Sequence, residues 1–92
     1  MIVRISGEEQ YELPDDDAGQ LNDLENAVVA VVEGGREAEF PAAYRAVLDF
    51  VRERGRVIGD DELQGSDVIV PPADLTFQEA GTEFTGEGLI PD

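Results

Sequence analysis

Apolar and polar positions change their period several times along the chain, and each change marks an element. Ile2, Val3 and Ile5 are β-branched, and Val3 and Ile5 alternate with Arg4, which predicts a strand over residues 1–6. Gly7, Glu8 and Glu9 make a turn, and Tyr11 and Leu13 share one face of a second strand over residues 10–13. The two together predict an N-terminal β-hairpin. Pro14 and three aspartates then open a helix, where acidic side chains cap free amides and favour the positive end of the dipole. Leu21, Leu24, Val28, Val31 and Val32 recur at helical spacing, and Gly34-Gly35 ends the run.

A second helix follows, with Pro41 in its first turn, where a missing amide costs nothing. Phe40, Tyr44, Val47, Leu48 and Val51 form its apolar stripe, and Gly55 is its stop. Arg52, Arg54 and Arg56 lie toward its C-terminus, where cations are favoured. The short link at 34–36 folds the two helices into a hairpin. Val57-Ile58 suits a brief extended piece. Residues 67–70 read as a compact strand stopped by Pro71-Pro72. Thr76 and Glu79 match a capping box, so a short third helix should cover about residues 77–84. Leu89-Ile90 are expected to fold back on the core. The order β-β-α-α-β-α predicts one α+β domain over residues 1–92, with a third strand extending the hairpin and the helical hairpin packed on the sheet.

Charge changes this picture most. The chain has 22 acids, 6 arginines, no lysine and no histidine, for a net −16. Nucleic acid is excluded as a partner, because phosphate contacts need clustered cations. Direct insertion into an anionic membrane is disfavoured on the same ground, and no apolar run is long enough to span one. With no cysteine and no leader-like segment, the expected location is cytoplasmic. The acids are unevenly spread: nine with one arginine over residues 1–35, four with five arginines over 36–56, and nine with no base over 57–92. The central segment is therefore charge-balanced between acidic flanks. A chain this small also leaves self-association open.

Candidate chemistry is sparse. Without histidine, cysteine or lysine, no nucleophile has an evident base, and no catalytic residue or cofactor is expected. Asp60, Glu62, Gln64 and Gly65 resemble the opening of a calcium loop, but Pro71 stands where the bidentate glutamate belongs. Asp15 and Asp17 fail sooner, with Gln20 in the glycine position, so no metal ligand set is assigned. The partner-binding candidates are Phe50, Arg52, Arg54 and Arg56. The arginines suit pairing with nearby acids, or docking on an acidic partner. Phe50 lies off the apolar stripe, where an aromatic could serve as an exposed anchor.

The opening MIVRISGEEQYEL, the helix end VRERG, the stretch DDELQGSDVIVPPAD and the tail GEGLIPD resemble the PspA-associated family, PspAA. SDVIVPPAD and GLIP carry most of the specificity. In the segment QEAGTEFTG the chain departs from the leucine- and valine-rich third helix expected of the family. The resemblance implies a small acidic accessory or adaptor protein of the phage-shock, or envelope-stress, response. Its implied partner is a PspA-like membrane-remodelling protein of the ESCRT-III class, which would bring it to the inner face of the membrane. A second reading of the acidity is a DNA mimic or antitoxin-like inhibitor that occupies a basic site on another protein.

Overall fold

The computed structural model describes residues 1–59 and 65–83. Strands β1 (Ile2–Ile5) and β2 (Gln10–Glu12) form an antiparallel hairpin with Val3 opposite Tyr11. Its turn is closed by the Glu8 amide donating to the Ile5 carbonyl at 2.8 Å, and Gly7 takes φ +80°, which L side chains rarely adopt. Helix α1 (Ala18–Glu33) follows a 3-10 turn at Asp15–Asp17. It ends where the Arg36 amide bonds to Val31 and the Gly35 amide to Val32, with Gly35 at φ +67°. That is a Schellman stop, and it uses the second glycine of the pair.

Helix α2 (Phe40–Arg54) begins after another 3-10 turn, with Pro41 in its first turn as expected. Strand β3 (Arg56–Ile58) follows at once and pairs with β2. Strand β4 (Val68–Val70) lies parallel to β1, with Arg4 opposite Ile69. Helix α3 (Phe77–Glu83) carries the expected box: the Glu79 amide donates to Thr76 Oγ1 at 3.2 Å, and Glu79 Oε1 accepts the Thr76 amide at 3.0 Å. The fold is α+β, with one mixed sheet in the order β3-β2-β1-β4. Strands β3 and β4 are its opposite edges.

The core forms between the helices and one sheet face. Val3, Ile5, Tyr11, Leu13, Val68 and Val70 meet Leu21, Val28, Val47, Leu48 and Val51, all buried. The predicted alternation of the hairpin and the stripe of the second helix therefore supply most of it. On the opposite face Ile2, Gln10 and Ile58 are also buried. There the Gln10 side-chain amide donates to Ser66 Oγ at 2.8 Å, and Asp67 Oδ2 accepts the Ile2 amide at 2.8 Å. These bonds bind the approach to β4 onto the hairpin.

Three expectations change. Arg56 belongs to β3 and not to the end of the second helix, because the helix stops at Arg54 and Gly55 is already extended (φ −89°, ψ 147°). The aspartates before α1 make no side-chain capping bond. Asp15 instead accepts from the Met1 amine at 2.9 Å, and Asp17 turns to an arginine. Phe50 is 9% exposed and part of the core, so it is no surface anchor in this fold. The buried arc of α2 is wider than the stripe on one flank, where Phe50 and half-buried Ala43 lie. The calcium-like residues Asp60, Glu62 and Gln64, the tail pair Leu89-Ile90 and the end of the predicted third helix at Phe84 lie outside the described residues.

Candidate functional site

The charge-balanced segment folds into the junction between α2 and β3, and its arginines leave that junction in three directions. Arg52 reaches the β1–β2 turn, donating from Nη2 to Glu8 Oε2 at 2.6 Å and from Nε to Oε1 at 3.3 Å. Arg54 reaches the start of α1, donating from Nη2 to Asp17 Oδ1 at 3.0 Å and from Nε to Oδ2 at 3.3 Å. Both are two-pronged pairs, the geometry a planar guanidinium favours. Arg56 donates to Glu12 Oε1 at 3.2 Å, directly across the β2–β3 ladder.

These contacts hold the guanidinium pKa values of Arg52 and Arg54 above the ordinary arginine value. For Arg52 the cause is first the Glu8 hydrogen bond, opposed by burial. For Arg54 it is the hydrogen bond and then the charge of Asp17. The three arginines thus tie α2 and β3 to the hairpin and to α1. To bind a partner they would have to exchange these pairs for intermolecular ones. Asp17 is buried at 6% and Glu25 at 0%. By sequence Asp17 is a helix-opening residue and Glu25 goes unmarked, although its place four residues after Leu21 and three before Val28 is the signal that puts it on the inward face.

Two arginines are different. Arg4 on the outer sheet face and Arg45 on α2 make no ion pair or hydrogen bond among the described residues. Arg45, with Glu37, Asp49 and Arg52, borders a trough of about 450 Å³ between α2 and the segment leading into α3. Phe40, Tyr44 and Leu48 line one side, and Leu75 and Phe77 the other. Phe40 stacks on Tyr44 with ring centres 5.4 Å apart and meets Phe77 edge-on at 5.9 Å. The Tyr44 hydroxyl bonds to the Pro71 and Pro72 carbonyls, fixing the far wall against the helix. The trough was not foreseen, because its two walls are about thirty positions apart in sequence and only folding joins them.

Among the described residues no three acidic side chains converge to hold a metal ion, and no helix is long and apolar enough to cross a membrane. The trough lies on a small α+β fold whose helical hairpin covers one face of a mixed sheet. The chain belongs to the family described as PspA-Associated protein, PspAA, whose family model matches residues 1–92, the whole chain. The resemblance carried by the strand and tail segments is therefore borne out. No curated protein and no solved structure matches it.

Proposed function

We propose that this protein is a non-enzymatic accessory protein of a phage-shock system, acting as an adaptor that binds a PspA-type protein. Family membership over all 92 residues carries this reading, since the family is described by its association with PspA. The physical character of the domain agrees with it. Its arginines are largely committed to internal pairs, which leaves its surface acidic and without a catalytic constellation among the described residues. The net charge of −16 keeps the domain soluble and leaves membrane contact to the partner. In this reading the complex, and not the domain alone, meets the inner face of the membrane.

Co-purification tests it. The protein and the PspA protein of the same organism should associate at both low and moderate salt. Separation of the two on size exclusion under both conditions would remove the reading.

A further inference from the structure

Dissolved salt acts on this fold in two opposed ways, and the placement of its charges decides between them. The attractive part is concentrated in Arg52–Glu8 at 2.6 Å, Arg54–Asp17 at 3.0 Å and Arg56–Glu12 at 3.2 Å. Charges in contact are screened least, because the screening length is roughly 10 Å at 0.1 M salt and 3 Å at 1 M. The two exposed pairs also contribute little in either condition, so their weakening costs the fold little.

The repulsive part is spread over the surface. Glu9, Asp16, Asp23, Glu33, Asp49 and Glu53 are exposed and make no ion pair among the described residues. Two of them sit where the fold itself disfavours a negative charge. Glu33 ends α1, at the negative end of the helix dipole, and no basic residue shares that last turn. Glu53 follows Asp49 by four positions on α2, the spacing that sets like charges side by side. Folding gathers the net −16 into a body with a radius of gyration of 12.8 Å. An unfolded chain of this length spreads the same charge over roughly 30 Å. This self-repulsion opposes the compact state, and it acts between charges many ångströms apart, where screening is most complete.

We infer that the fold is supported by salt: mobile cations screening the acidic shell stabilise the folded state, so that stability rises with ionic strength even as the ion pairs within it weaken. The support is diffuse and needs no binding site, and no three acidic side chains converge among the described residues. The inference stands apart from the adaptor reading and concerns the medium, since a domain built this way is fitted to a salt-rich one.

Thermal melts of the 92-residue chain in potassium chloride test it. Between about 0.05 M and about 1 M the midpoint should rise by about 5 °C or more, steeply at first and then levelling as the screening length shortens. Sodium chloride and tetramethylammonium chloride at equal ionic strength should give the same curve. A flat or falling midpoint would overturn the inference. So would a rise confined to one cation, or one complete at millimolar metal, since either means specific binding.

Three exposed substitutions separate screening of the shell from a general effect of salt on folding. Glu33→Gln and Glu53→Gln each remove an unpaired negative charge at little change in helix propensity. Both should raise the midpoint in low salt, and most of the gain should vanish at high salt. Arg4→Gln, on the outer sheet face, removes a positive charge that makes no ion pair among the described residues. It should lower the midpoint in low salt and leave it nearly unchanged at high salt. Shifts of the same size in both salts, or none in either, would show that long-range repulsion is not what salt relieves, and the inference falls.

Discussion

Gly55 approaches Tyr11 so closely that a methyl group on Gly55 would lie 2.7 Å from the Tyr11 Cβ. The same methyl would lie 2.6 Å from the Val51 carbonyl oxygen and 3.1 Å from Leu13 Cδ1. Backbone conformation is not the reason for glycine here, since φ −89° and ψ 147° suit any residue. Space is the reason: the chain leaves α2 and enters β3 directly over the hairpin. Gly55→Ala should therefore destabilise the fold by about 1–3 kcal/mol, the usual range for overpacking. Urea denaturation should show a lower midpoint with an unchanged slope.

Tyr44 joins α2 to the chain leaving β4 through its hydroxyl bonds to the Pro71 and Pro72 carbonyls. Tyr44→Phe keeps the ring stack on Phe40 but leaves those acceptors without this donor. A loss of about 1–2 kcal/mol is expected. Amide exchange at Leu75, whose N–H bonds to the Pro72 carbonyl at 3.0 Å, should quicken more than exchange in the β1–β2 ladder. Equal quickening everywhere would mean that the hydroxyl supports the whole fold and not the trough wall.

The Arg52–Glu8 pair is short but well solvated, with side chains 38% and 30% exposed. A double-mutant cycle with Arg52→Ala and Glu8→Ala should give a coupling below about 1 kcal/mol, shrinking further in high salt. Arg54–Asp17 differs because the Asp17 side chain is only 8% exposed. Asp17→Asn should lower the melting temperature more than Glu8→Gln does. Both guanidinium groups have raised pKa values, so their side of the stabilisation is complete below the unfolded arginine value and lost only as pH climbs through the higher folded one. Melts between roughly pH 7 and pH 10 should therefore show no loss from this source.

Much of the architecture was readable from local pattern. The alternation of Val3 and Ile5 about Arg4, the stripes of both helices, the double-glycine stop and the Thr76–Glu79 box all appear where the pattern placed them. Local rules failed where a residue's partner is remote. The aspartates before α1 have the right type for capping, yet Asp17 is taken by Arg54, thirty-seven positions away. Phe50 falls outside a simple stripe, yet the fold buries α2 on that flank as well. The candidate site was legible only as a charge-balanced segment.

The acidity, the α+β class, the rough element order and the family segments were determined by the sequence by itself, because each depends on residue type or on spacing within a few positions; the predicted order held one strand fewer than the sheet has. The tertiary structure alone decided that β3 and β4 become opposite edges of one sheet and that Arg52, Arg54 and Arg56 are consumed by internal pairs. It also decided that Arg45 is left beside a trough. Each of these depends on which distant groups arrive within bonding range, and the chain's local pattern carries no record of that distance.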